Sequence, residues 1–421
     1  MAGNRFRRRS AHSNRQVATL EAVAQKTLID PNMLIKSLTV EDFCETAEAY
    51  FAGVANPEPL LAKPFHSLDE APNLLRNLGV LLAGMNLGPS MTVLDFAAGS
   101  CWLSRFLAQM RCETISCDVS HSALELGKEL FRKHPPINRP IAEPRFLCFD
   151  GHRIELPDES VDRIVCFDAF HHVANPREVL GELFRVLRPG GVAGFCEPGP
   201  QHSQTPEAQA EMANHNVLES DVVLAEVGRM AMSAGFTNLR TKVMTDLEIN
   251  LKEHEELMEA GGGSGLQTKV FSNAQALARN GGVFFLDKGP LVFDSRRSEG
   301  LAHELEVKQP ELSLKAGSPV HLEVKARNIG HARWLAKTPS GIGQVRLGAH
   351  FYSETGKLCD YDFARSDLPR DIDPGESVRI GLDFSFPEPG HYRLVLDFVA
   401  EHIVWFEQRG SSPVVLAVAV T

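Results

Sequence analysis

Four aspartates each stand at the end of an apolar run: Asp95 in "MTVLDFA", Asp118 in "ETISCDV", Asp150 in "PRFLCFD" and Asp168 in "VDRIVCFDAF". A carboxylate gains nothing from core packing, so four at successive strand ends point to ligand binding. Asp95 leads into Ala97, Ala98 and Gly99. Small residues let backbone approach a ligand closely, and the helix start that follows offers unsatisfied N–H groups to a polar tail. A carboxylate in the place of Asp118 can accept both hydroxyls of a ribose. Asp150 is placed to take the exocyclic amine of an adenine, with Gly151 leaving room for the ring. Together the acids suit a nucleoside that carries a positively charged tail.

Groups able to take a proton follow the fourth and fifth strands. "FHHV" supplies His171 and His172, and "CEPGPQHS" supplies Glu197 and His202. Any of the four can serve as a base toward a hydroxyl held near the reacting centre. The histidine pair reads equally well as one packed and one solvent-facing ring. Glu197 precedes a Pro-Gly-Pro turn over the mouth of such a site, which favours a role in orienting or deprotonating an acceptor.

These residues need a scaffold that lines up strand ends. From Val93 short apolar strands alternate with amphipathic helices such as "SALELGKELFRKH" and "PREVLGELFRVL". That alternation predicts an α/β fold, a parallel sheet with helices on both faces. Ser120 is placed to cap one helix, and "LRPGG" to stop another. Residues 19–90 read as mainly helical, with Thr39 as an N-cap. Beyond about Arg297, strands such as "VHLEVKARN", "SVRIGLDFSF" and "HYRLVLDFV" follow one another between Gly, Pro and Asp turns. About 110 residues of this kind predict an all-β sandwich of immunoglobulin type. The expected division is a basic arm and helical preface over 1–60, a nucleoside-binding domain over 61–297 and the sandwich over 305–421.

The chain has 421 residues and a net charge of −11, so nucleic acid is not an expected partner. Five arginines and no acid fall in the first twenty residues, without an apolar run behind them. They read as a solvated arm and not as a signal peptide. No run approaches the ~20 apolar residues of a membrane span, so stable membrane insertion is not expected. The eight cysteines form no C-x-x-C pair and read as reduced thiols of a cytoplasmic protein. No metal is expected, because no ligands cluster along the sequence. "AGGGSGL" reads as a loop and lacks the Gly-Lys-Ser/Thr of a phosphate cradle. Nothing in the pattern sets an oligomeric state.

The ordered set Asp95-x-Ala97-x-Gly99, Asp118, Asp150-Gly151, "LPDESVDRIVCFDAFHHV" and "LRPGG" resembles class I S-adenosylmethionine-dependent methyltransferases, over roughly residues 60 to 290. The subgroup of ubiquinone and menaquinone C-methyltransferases is the most similar. The resemblance implies a Rossmann-like seven-stranded sheet and S-adenosylmethionine as cofactor. It implies that Asp95 and the 97–99 backbone hold the methionyl part and that Asp118 binds ribose. Val119 and Asp150 would flank adenine, and Asp168, with the His171 region, would face the sulfonium. The chain departs from the family's D-x-G-x-G-x-G, keeping only the middle glycine. Alanine at 97 fits if its φ stays negative, and Cys101 and Trp102 would then narrow the methionine end. A nicotinamide-linked enzyme would want G-x-G-x-x-G here, which is absent.

The C-terminal pattern resembles immunoglobulin-like modules of bacterial surface-polysaccharide export and glycan-modifying proteins. Trp334, Trp405 and Phe406 read either as sugar-stacking groups or, on an alternating strand, as core. The function expected is methyl transfer to a hydroxyl of a surface glycan or lipid-linked saccharide, and the polar 203–280 region suits such an acceptor. The alternatives are a methyltransferase for a small molecule or quinone-like lipid, and a non-catalytic binding protein on the same fold.

Overall fold

In the computed structural model the described residues are 28–138, 142–259 and 263–421. The arginine-rich arm and the first three residues of "AGGGSGL" lie outside them, and from Ser264 the chain is helical.

Seven strands form one sheet: β1 Thr92–Phe96, β2 Glu113–Asp118, β3 Arg145–Cys148, β4 Val161–Phe167, β5 Leu187–Pro198, β6 Asn238–Thr241 and β7 Gly281–Asp287. Their order is β3-β2-β1-β4-β5-β7-β6, parallel except for β7. The fold is thus Rossmann-like, as expected, and order reverses between β1 and β4, where such sheets bind ligands. Val93, Leu94, Ile164 and Val165 are fully buried because helices cover both faces. Leu81 and Met85 of helix Ala71–Met85 pack on one face, and Leu180 and Leu183 of helix Pro176–Val186 on the other. Register brings Phe96 opposite Cys117, and Phe167 opposite Cys196. The residues that follow these strands therefore share one edge.

The caps behave as the sequence suggests. Thr39 accepts the Asp42 N–H while Asp42 accepts the Thr39 N–H, closing a capping box. Ser120 accepts the Ala123 N–H at 3.0 Å. The region after β5 carries the helix expected over "DVVLAEVGRMAMSAGF", at Leu224–Ala234, and three further, unexpected helices: Pro206–His215, Leu251–Met258 and Ser264–Asn280. All eight cysteines are free, although Cys148, on an edge strand, is exposed rather than core.

The C-terminal strands make a two-sheet sandwich. One sheet orders Glu311–Leu314, Val414–Val420, Gly390–Ala400, Val345–Ser353 and Leu358–Asp367; the other orders Ser377–Phe384, Val320–Asn328 and His303–Val307. Trp334, Phe398 and Phe406 are wholly buried between them and are core; Trp405, though nearly buried, packs outside that core against His350, Tyr361 and Arg365. The segment Phe293–Asp294 pairs with Ala332–Arg333 of the sandwich, and the residues just after it are tied to the beginning of the sheet's strands. The Arg296 guanidinium donates to both oxygens of Asp162 at 3.0 Å, and Asp162 also accepts the Thr92 N–H. Ser295, beside it, donates to the Gly343 carbonyl at 2.6 Å, and the Ser90 and Ser340 hydroxyls meet. Thr92 and Asp162 open β1 and β4, so this junction lies at the end of the sheet opposite the four acids. Among the described residues, no helix is long and apolar enough to cross a membrane.

Candidate functional site

The turn after β1 places three residues in the left-handed region: Ala97 (φ 54°), Gly99 (φ 51°) and Cys101 (φ 58°). These are the three glycine positions of the family pattern, and the conformation explains glycine there. The expectation of a negative φ at Ala97 is therefore corrected. The turn is tied down by hydrogen bonds: Ala98 N–H donates to the Cys117 carbonyl, and Gly99 N–H to the Asp118 carboxylate at 2.8 Å. Cys101 is buried against Gly127, where a Cβ would come within 2.3 Å of its sulfur. Only Trp102, of the two residues expected to narrow the site, walls the cavity.

That cavity has a volume of about 340 Å³. Ala97, Ala98, Gly99, Asp118, Val119 and Gly151 line it. The second oxygen of Asp118 accepts the Ser120 N–H at 2.8 Å. Burial raises the Asp118 pKa, against these two N–H donors. Asp95 does not reach the cavity; it lies behind the turn, where Ser104 donates to it at 2.7 Å and Ser116 to Ser104. Burial pushes the Asp95 carboxyl up to about 7, with the Ser104 hydrogen bond pulling the other way. The Asp150 carboxylate accepts the N–H groups of Arg153 and His152, which hold its pKa down, and so it shapes its own loop.

Gly151 (φ 91°) makes room for protein: a Cβ there would meet Val40 at 2.6 Å. Val40 begins helix Val40–Ala52, which roofs the cavity with Phe43, Ala47, Tyr50 and Phe51. The sequence suggested a helix here but gave no sign of its place. Glu48 docks it by accepting from the Ser120 hydroxyl and from the Ser122 N–H and hydroxyl.

At the far end stand Asp168 (φ 55°), His172 and Glu219. The short helix Phe170–His172 is held by Glu197, which accepts the N–H groups of Ala169, Phe170 and His171. His171 Nδ1 adds a contact to the same carboxylate at 2.8 Å. Glu197 is 3% exposed and walls nothing, so its place is that of a clamp. His171, buried, points its Nε2 at Glu219, 3.5 Å away. Burial alone would lower its pKa, but the two flanking carboxylates dominate and raise it to about 10. His202, outside the cavity wall, places Nε2 2.6 Å from Glu219. Glu219 is held near 2: burial opposes its charge, while His171 and His202 stabilise it.

His172 alone of the four base candidates lines the cavity. Its Nδ1 donates to the Leu218 carbonyl at 2.6 Å, and its side chain is 39% exposed. Its pKa lies below the ordinary value, from burial and from the adjacent His171 charge. Glu219, absent from the sequence reading, is the centre of this cluster. It comes from an irregular segment with no periodicity to mark it. Groups that no spacing linked are thereby gathered: one potential donor atom each from His171, His172 and Glu219 lie within 4.8 Å of one another.

Residues 94–195 match a family model described as a methyltransferase domain, and they fall within the Rossmann-like sheet. Curated relatives include a demethylmenaquinone methyltransferase of Streptomyces griseus, 30% identical over 115 residues, which are 27% of this chain and 46% of that protein. The ubiquinone/menaquinone biosynthesis C-methyltransferase UbiE of Salmonella arizonae is 27% identical over 179 residues, 38% of this chain and 69% of that one. The chain spans about half the length, or less, of the first such relatives. Among solved structures, a Haemonchus contortus phosphoethanolamine N-methyltransferase with S-adenosyl-L-methionine superposes with a TM-score of 0.41 at 17% identity, covering 60% of each chain.

Proposed function

We propose that this chain transfers a methyl group from S-adenosylmethionine to a hydroxyl-bearing acceptor. One observation carries the reading: a single cavity runs from Val119 and Gly151, past Gly99 and Asp118, to Asp168, His172 and Glu219. Its first part suits a nucleoside, with Asp118 toward the ribose hydroxyls and Val119 with Asp150 toward adenine. The 97–99 backbone, held by the Cys117 carbonyl and the Asp118 carboxylate, suits the methionyl end. Bound there, S-adenosylmethionine supplies an electrophilic methyl. The protein's part is alignment, since in-line displacement draws much of its rate from the placement of acceptor, methyl and sulfur. Asp168 would face the sulfonium, and the acceptor would lie against His172 and Glu219, with Glu197, His171 and His202 holding those two in place.

For the acceptor, the favoured reading is a hydroxyl of a surface glycan or lipid-linked saccharide. The polar groups Glu211, Glu219 and His172 at that end support it, as does the likeness of the sandwich to immunoglobulin-like modules of polysaccharide proteins. A quinone-like or other small acceptor is the second reading. The names of the relatives favour it, and so does the distance of the sandwich, since no wall of the cavity comes from beyond Glu219. Incubation with methyl-labelled S-adenosylmethionine and two panels, saccharides and hydroquinones, separates them. Label in a saccharide supports the first reading, and label in a hydroquinone overturns it in favour of the second. Label in neither panel, with cofactor binding intact, would overturn both acceptor assignments.

A further inference from the structure

We propose that His171, His172 and Glu219 form a binding site for one first-row divalent transition cation, placed at the acceptor end of the cavity. The proposal rests on the reading of this cavity as a methyl-transfer site only for its role, not for its existence.

Metal-binding histidines usually donate their second ring nitrogen to a carboxylate or carbonyl, and metal-binding carboxylates are hydrogen-bonded in turn. Two of the three groups meet this condition directly: His171 Nδ1 lies 2.8 Å from Glu197, and Glu219 receives His202 Nε2 at 2.6 Å. His172 Nδ1 lies 2.6 Å from the Leu218 carbonyl and 3.7 Å from Glu219, so the ring must turn from the carbonyl to ligate. Glu197 is itself fixed by three backbone N–H groups, so the His171 ring has little freedom.

Spacing points the same way. The bonds to these outer partners are short, but the inward contact of His171 Nε2 with Glu219 is 3.5 Å, too long for a good hydrogen bond. Around a tetrahedral dication with bonds of ~2.1 Å, ligand atoms stand roughly 3.4 Å apart. The three donor atoms lie within 4.8 Å of one another, and the half-exposed His172 ring is the one with room to turn toward the other two.

Two neutral imidazoles and one carboxylate are the donor set of a borderline dication such as Zn²⁺ or Fe²⁺, with the remaining positions open; His171 gives its Nε2 proton to solvent as the cation binds. Here the open side meets the cavity, because His172 and Glu219 wall it. A hydroxyl oxygen of the acceptor would occupy an open position and lose its proton to water. Its lone pair then forms the bond to the methyl carbon as the carbon–sulfur bond breaks, and that electron pair stays on sulfur as the neutral thioether.

The test uses untagged full-length protein stripped with a chelator, titrated with Co²⁺ while the visible absorption is recorded, then with Zn²⁺ in competition. The expected result is one equivalent of Co²⁺ with tetrahedral or five-coordinate bands, displaced by Zn²⁺. Glu219→Gln should lose at least 100-fold in affinity, and Glu197→Gln, which contacts the His171 ring and its backbone but not the cation, 10- to 100-fold. If Glu219→Gln does not fold, His172→Asn, at a half-exposed position, makes the same comparison. No band in the wild type, or equal affinity in wild type and variants, overturns the site and leaves a hydrogen-bonded cluster. S-adenosylhomocysteine titrated into the stripped protein separates the two ideas: cofactor binding without cation binding sinks this proposal alone, and cation binding without cofactor binding sinks only the functional reading.

Discussion

The Glu48 carboxylate accepts the Ser120 hydroxyl at 2.7 Å, and by that contact the helix Val40–Ala52 is latched onto the start of helix His121–Lys133. Ser120 at once caps the second helix and holds the roof of the cavity. Hydrogen bonds to a charged group contribute about 1.5–3 kcal/mol when partly buried, less where water competes. Glu48→Ala should therefore loosen the roof without unfolding the sheet. The expected outcome in stopped-flow binding of S-adenosylhomocysteine is faster release, by about 3- to 10-fold. Unchanged release would mean that the roof stays closed by apolar packing alone.

Asp95 sets a pH dependence of stability. Its carboxyl is raised by burial to about 7 in the folded chain, against 3.8 for the free group. Between those values the folded state holds a proton that the unfolded state has lost, so stability falls as pH rises from about 4 to about 7 and then levels. At about 1.4 kcal/mol per pH unit the effect is on the order of 4 kcal/mol. Asp95→Asn, which keeps an acceptor for Ser104, removes it. Urea unfolding should show the variant gaining on the wild type between pH 5 and pH 8. A constant difference across that range would contradict the assignment.

Ala97 is held at a positive φ, at a cost of roughly 1–2 kcal/mol for a residue with a Cβ. Glycine removes that strain but adds backbone entropy to the unfolded chain, roughly 0.5–1 kcal/mol. Ala97→Gly should stabilise by about 0.5 kcal/mol in thermal unfolding. A clear loss of stability would show that the methyl group is needed for packing.

Asp162 anchors the segment that leads from the sheet to the sandwich. It is nearly buried and accepts from Arg296 and Arg188, which hold its carboxyl below the usual range against the effect of burial. Breaking a buried pair by removing one charge costs about 3 kcal/mol or more. Asp162→Asn should lower the urea midpoint by a corresponding amount while leaving cofactor affinity unchanged, because the junction lies at the other end of the sheet. Loss of cofactor binding in a folded variant would contradict that separation.

Much of this architecture was legible in the sequence. Alternating apolar strands and amphipathic helices carry their own period, and acids at strand ends stand out because packing cannot explain them. The sandwich strands showed the same clarity, with Ile380, Leu382 and Phe384 buried in alternation. The helices at 206–215, 251–258 and 264–280 were less legible, since they are polar with narrow apolar faces. Glu219 and Tyr50 reach the cavity only through tertiary folding, from segments distant in sequence from the strand ends, so no local pattern could nominate them. The backbone at Ala97 was misjudged because residue type alone argues for negative φ, whereas the bonds of Ala98 and Gly99 to β2 and its aspartate enforce the turn.

The most direct measurement is a calorimetric titration of the wild type and of Asp118→Ala with S-adenosylmethionine, S-adenosylhomocysteine and NAD. The account expects micromolar binding of both sulfur nucleosides, no binding of NAD, and a loss of about 10- to 100-fold in the variant, on the order of two hydrogen bonds to a charged group. Absence of binding by either sulfur nucleoside, or equal affinity in wild type and Asp118→Ala, would contradict it.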